Sequence, residues 1–132
     1  MDSIRKIKPQ EVDILLSFYE ERGQTPPIKS TIPLETTYTY LKEDRNVAFL
    51  STIINNCKGF AILEHMVASS ELTEAERQEV IGALLKEANN LAKYCGVERL
   101  VCFTEHNGLA KSFSNFGMNL TGTCYVMCKE VA

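Results

Sequence analysis

Two pairs of neighbouring titratable residues offer chemistry along this chain: Glu64 with His65, and Glu105 with His106. A carboxylate or an imidazole can take a proton from a substrate near neutral pH, so each is a candidate general base. Glu64 and His65 lie inside an apolar run, residues 60–68, whose composition predicts a strand. Adjacent strand residues point to opposite faces, so only one of the two is expected to face a given cleft. The structural alternatives are a solvated glutamate and a hydrogen-bonded histidine. Asn107 either orients a substrate or caps a helix.

The elements that would position these residues are legible from periodicity. Residues 4–7 predict a first strand, and Pro9 suits the start of a helix with Val12, Leu15, Leu16 and Tyr19 on one face, ending near Gly23. Residues 23–33 hold three of the four prolines and predict a long loop, either a connector or a wall beside a substrate. Residues 34–41 are read as a short second helix, against the strand propensity of their threonines and tyrosines. Residues 47–54 and 60–68 predict strands joined by a turn at 55–59.

Val80, Ile81, Leu84, Leu85, Ala88, Leu91, Ala92 and Cys95 recur at helical period up to Gly96. With the apolar strand 100–103 this makes a parallel β-α-β unit, so the sheet is mixed and the class is α/β. Asn107 is expected to cap a fourth helix burying Ala110, Phe113 and Phe116 and ending at Gly117, and residues 121–130 alternate as a final strand.

At 132 residues, 45% hydrophobic and 23% charged, the chain suits a single domain. A net charge of -3 gives no basic footprint for nucleic acid or an anionic membrane. Residues 1–6 lack the apolar core of a signal peptide, and no apolar run approaches the roughly 18 to 20 residues of a bilayer span. The expectation is a soluble cytoplasmic protein. Five cysteines without a close pair predict reduced, mostly buried thiols and no metal site.

The succession of a helix beginning near Arg77, the strand at 100–103, His106-Asn107-Gly108-Leu109-Ala110 and Phe116-Gly117-Met118 resembles the acyl-CoA-binding half of the GCN5-related N-acetyltransferases (GNAT). The resemblance covers residues 60–129. It implies one acetyltransferase domain over 1–132, a central mixed sheet flanked by helices, and acetyl-CoA as cosubstrate. The acetyl group would pass directly to an amine of a small molecule or a protein; a homodimer is the family-type assembly. It also implies that the fourth strand splays from the fifth to admit acyl-CoA, with Met66, Val67 and Ala68 facing the pantetheine.

The family turn Arg/Gln-x-x-Gly-x-Gly/Ala is matched by Arg77, Gly82 and Ala83, with Val80 where the first glycine belongs. These residues would face the phosphates, with Asn107 also on the cofactor side. A carboxylate or water-relayed base from Glu64, His65, Glu105 or His106 fits the family mechanism. The family's tyrosine acid falls on Phe113 or Ser114, neither an effective proton donor; Tyr125 is a candidate replacement, since the last strands of this fold can approach the cleft, or equally a half-buried tyrosine with its hydroxyl in water.

Thr73-Glu74-Ala75-Glu76 reads as a capping box that would start the helix early and place Glu74, Glu76 and Glu79 at its positive end, where carboxylates stabilise the helix but repel a phosphate. The alternative reading is therefore a catalytically degenerate protein of this fold, a binding or structural module. The compact closing segment is similar to short acetyltransferase-like proteins of bacteriophages.

Overall fold

The computed structural model describes residues 1–54, 59–104, 106–122, 124, 127 and 129–131. Glu105 and Tyr125, both singled out above, lie outside the described residues, as does most of the turn at 55–59.

Strand β1, Ser3–Lys6, leads through a 3-10 turn at Pro9–Glu11 into α1, Val12–Glu21. Pro9 opens the turn because its missing N–H would have no partner there. Helix α1 buries Val12, Leu15 and Phe18, with Leu16 and Tyr19 at the flank of that face.

The expected helix at 34–41 is not formed. Thr37–Lys42 is β2, paired antiparallel with β1 on one side and with β3, Arg45–Ile53, on the other. Its β-branched and aromatic side chains fit a pleated surface with neighbours on both sides, and that tertiary pairing overrides the local helical pattern. Glu43 and Asp44 both adopt positive φ, 49° and 66°, so a two-residue turn of the type matched to strand twist joins β2 to β3.

Strand β4, Ala61–Ala68, pairs antiparallel with β3, and helix α2, Glu74–Tyr94, then crosses to β5, Leu100–Cys102, which lies parallel to β4. The sheet order is β1-β2-β3-β4-β5. Gly96, at φ 74°, ends α2: its N–H bonds the Lys93 carbonyl while Val97 N–H reaches back to Ala92.

Helix α3 spans Asn107–Asn115, the third α-helix rather than the expected fourth. Its cap is His106, not Asn107, because Thr104 Oγ1 takes the His106 N–H at 3.0 Å and closes the preceding turn; no side chain caps the helix. Phe113 is buried as expected, whereas Phe116 is 43% exposed. Within 121–130 none of the described residues is in a strand.

The sheet separates two cores. On one face α2 and Phe113 of α3 cover Val47, Ala48, Leu50 and Leu63. On the other, α1 and Ile32 cover Phe49 and Val67. The thiols depart from the expected burial: Cys95 and Cys124 are exposed and Cys102 is half-buried. Among the described residues, no helix is long and apolar enough to cross a membrane.

Candidate active site

Among the described residues, strands β4 and β5 pair only through Ala61–Leu100, Ile62–Val101 and Leu63–Cys102. Beyond Leu63, β4 continues to Ala68 with no ladder partner on that side among the described residues. Ser69 N–H bonds the Val47 carbonyl on β3, so strand alternation turns the amide groups of Ala68 away from β3, into the opening. Unpaired strand backbone of this kind can receive an extended ligand by main-chain hydrogen bonds. The Ala68 carbonyl is already held by the guanidinium of Arg22, from Nε at 3.1 Å and Nη2 at 3.0 Å.

Where the opening begins, β4 is bulged. Phe49 pairs with Val67 but Ser51 pairs with Glu64, so β4 carries one residue more than β3 across this interval. His65 has φ 55°, the left-handed region, where a side chain with a Cβ stores strain of a kind that clusters at functional sites. The bulge corrects the expectation that Glu64 and His65 face opposite ways. Ser51 lies on the α1 face in alternation with Phe49, its register partner Glu64 shares that face, and His65 Nδ1 is 2.9 Å from Ser51 Oγ. Both titratable side chains therefore stand on one side of the sheet.

Their environment sets their charge. Burial pushes Glu64 above and His65 below the ordinary range, so His65 is neutral at neutral pH. Tyr19, on α1, is pushed up to about 12 by burial and then by the Glu64 charge. It remains a phenol and a competent hydrogen-bond donor. Burial and the same charge push Cys102 up to about 11, which keeps it from acting as a thiolate nucleophile. Tyr19 was legible in the sequence only as a core position; its neighbourhood with Glu64 depends on how α1 crosses the sheet.

The turn between β4 and α2 is closed by internal contacts. Ser70 gives both its N–H and its hydroxyl to Glu21 Oε2, Glu71 N–H bonds Ser69 Oγ, and Leu72 N–H bonds the Ser69 carbonyl. Thr73 and Glu76 form the expected capping box, each side chain taking the other's N–H. Arg77 pairs with Glu74 at 3.1 Å, while its Nε is buried without a hydrogen-bond partner among the described residues.

Gly82 and Ala83 lie well inside α2, and a Cβ on Gly82 would meet the Phe116 ring at 2.5 Å. Close packing against Phe116, just past the end of α3, thus accounts for that glycine. Val80, where the family motif has glycine, is fully buried in the α2 core.

No family model matches the sequence, and no curated protein matches it. Solved structures do. An Ard1 from Thermoplasma volcanium superposes with a TM-score of 0.74 at 13% identity, over 92% of this chain and 84% of that one. A predicted acetyltransferase with acetyl-CoA from Clostridium acetobutylicum gives a TM-score of 0.71 at 11% identity, over 97% and 96%. An aminoglycoside N-acetyltransferase in complex with CoA gives 0.74 at 13% identity, over 98% and 100%.

The chain has the GNAT acetyltransferase fold.

Within this acetyltransferase fold, the structure brings together Glu64, His65 and the Met66 to Ala68 edge on β4, and puts Arg77 in the opening turns of α2. It does not bring Gly82, Ala83 or Phe113 to that place: they pack between α2, α3 and the sheet. His106, Asn107 and Ser114 belong to α3 and its cap, and His106 and Ser114 are exposed.

Glu21 places a carboxylate against the turn where an anionic ligand at the α2 N-terminus would sit. For an anionic ligand at this turn, Glu21→Gln is expected to raise the affinity about three- to ten-fold at low salt, the scale of removing one like charge near a surface. Calorimetric titration checks this; equal affinities would mean that the ligand phosphates lie elsewhere.

Proposed function

We propose that this protein is an N-acetyltransferase that uses acetyl-CoA and passes the acetyl group directly to an amine. The observation that carries the reading is the juxtaposition of the β4 edge, without a ladder partner among the described residues, with the neutral His65 at its bulge. Edge amides beyond Leu63 would hold the pantetheine, and Arg77, whose buried Nε lacks a partner among the described residues, would meet the phosphates.

In this reading His65 takes a proton from the acceptor's ammonium group, freeing the nitrogen lone pair to form a C–N bond with the thioester carbonyl carbon. The Met66 N–H, directly after the bulge, is the donor assigned to the oxyanion. Collapse breaks the C–S bond, sulfur leaves with the electron pair and takes the second nitrogen proton, and the products are an amide and the CoA thiol. The protonated Cys102 thiol favours this direct route over an acyl-cysteine intermediate. The acceptor is an amine of a small molecule or of a protein.

A second reading, a binding module that keeps the fold without its cosubstrate, is favoured by the closed turn, where Glu21, Ser69 and the capping box occupy the N–H groups of Ser70, Glu71, Leu72, Thr73 and Glu76. One titration separates the two. Saturable binding of acetyl-CoA, CoA and desulfo-CoA, weakened at least ten-fold by Arg77→Glu, is expected for the enzyme. Absence of binding at millimolar ligand by the folded protein would leave only the module.

A further inference from the structure

The hydrogen-bond chain behind His65 has a fixed direction. Thr37 Oγ1 donates to the Pro33 carbonyl at 2.6 Å, and a carbonyl can only accept. A threonine hydroxyl has one proton, so in the 2.7 Å contact between Thr37 Oγ1 and Ser51 Oγ it is Ser51 that donates. That uses the one proton of Ser51. At 2.9 Å from His65 Nδ1 the serine oxygen must therefore accept, and the ring must donate.

We propose that Thr37 and Ser51 are positioning residues that hold the His65 ring as its Nδ1–H tautomer and thereby present the Nε2 lone pair as the proton acceptor of the reaction. The choice of reaction rests on the acyl-transfer reading above; the tautomer does not.

Three features make the chain rigid enough for this role. Thr37 and Ser51 are fully buried, so neither hydroxyl can exchange its partner for water. They are register partners across β2 and β3, which fixes their separation by backbone pairing. The bulge at His65, with its positive φ, brings the imidazole onto the same face to meet them. Pro33, at the end of the proline-rich loop, supplies the terminal acceptor, so the loop's place against β2 sets the direction of every proton in the chain. The titratable groups on the surrounding elements are Tyr19 on α1, Glu64 on β4 and Cys102 on β5, and among the described residues none of these three hydrogen-bonds His65 Nδ1.

The test is the two-bond proton–nitrogen NMR spectrum of the full-length protein labelled with nitrogen-15. The chain has two histidines, so His106→Gln assigns the His65 ring. Wild type is expected as Nδ1–H. Thr37→Val keeps the shape but removes the acceptor of the Ser51 proton; Ser51 then donates to the ring, which switches to Nε2–H. Thr37→Ser, which keeps the hydroxyl, returns the Nδ1–H form. Ser51→Ala, which leaves Nδ1 without an acceptor, serves if the valine variant does not fold and is expected to lose the Nδ1–H preference.

With acetyl-CoA and an amine acceptor, Thr37→Val is expected to lower kcat about 10- to 100-fold with KM for acetyl-CoA within about two-fold, and Thr37→Ser to recover most of kcat. An Nε2–H ring in wild type, or an unchanged tautomer in both Thr37→Val and Ser51→Ala, overturns the proposal. So does a tautomer switch that leaves kcat unmoved. If the tautomers follow the variants as expected but no acyl-CoA binds, the relay stands and the acyl-transfer reading is the one that fails.

Discussion

On the acyl-transfer reading proposed above, His65→Gln is expected to lower kcat by about 10²- to 10⁴-fold, the usual contribution of a positioned general base, with little change in KM for acetyl-CoA. The split is expected because the cosubstrate would be held by the β4 edge and Arg77, which the substitution does not touch. The pH profile carries the sign. Burial holds His65 below its ordinary 6.5, so wild type is expected to keep full activity through neutral pH and to lose it on an acid limb below that value, as the ring gains a proton and can no longer accept one. The variant lacks this limb. A variant that retains the limb, or that loses only KM, would transfer the base to Glu64, whose carboxyl burial pushes upward on the same face.

Glu11→Ala lowers the unfolding free energy at pH 7 by about 2 to 3 kcal/mol, the scale of breaking a buried charge pair, reduced because Arg5 is partly in water. Glu11 is almost fully buried, yet four donors reach it: Arg5 through Nη1 at 2.7 Å and Nη2 at 3.0 Å, Lys8 N–H at 2.7 Å and Asn46 Nδ2 at 2.7 Å. Truncation leaves these donors without their acceptor where β1, the 3-10 turn and β3 meet. The Arg5 guanidinium, followed by the Asn46 and Lys8 donors, holds the Glu11 carboxyl at about 2 against the opposing effect of burial. Since this folded value lies below the ordinary 4.5, the stabilisation is complete above about 4.5 and is lost as the pH falls toward 2. Urea unfolding of wild type and variant across that range should show the gap closing; a gap independent of pH would mean that packing rather than charge accounts for the loss.

Much of the fold was legible because its signals are local. The stripe from Val80 to Ala92 and the capping box at Thr73 act within a few residues of one another, and α2 begins and ends where they place it. The same holds for α1 after Pro9 and for the apolar runs that became β3 and β4. Residues 34–41 were misread for the complementary reason. Their own pattern is ambiguous, and pairing with β1 and β3, elements distant in sequence, decided for a strand. Asn107 has the chemistry of a cap, but the Thr104 hydroxyl moved the cap to His106.

The site divides along the same line. Sequence alone determined that Glu64 and His65 sit on an apolar strand ahead of a capped helix, since strand propensity and capping are written in neighbouring residues. Strict alternation then implied opposite faces, and only the register of β3 against β4 shows the extra residue that places both on one. Gly82 matched a phosphate-binding motif by spacing, but tertiary packing sets it against Phe116. The proton on His65 belongs wholly to the tertiary structure: its position follows from hydroxyls on β2 and β3 and a carbonyl at the end of a proline-rich loop, brought together by strand pairing that no local pattern encodes.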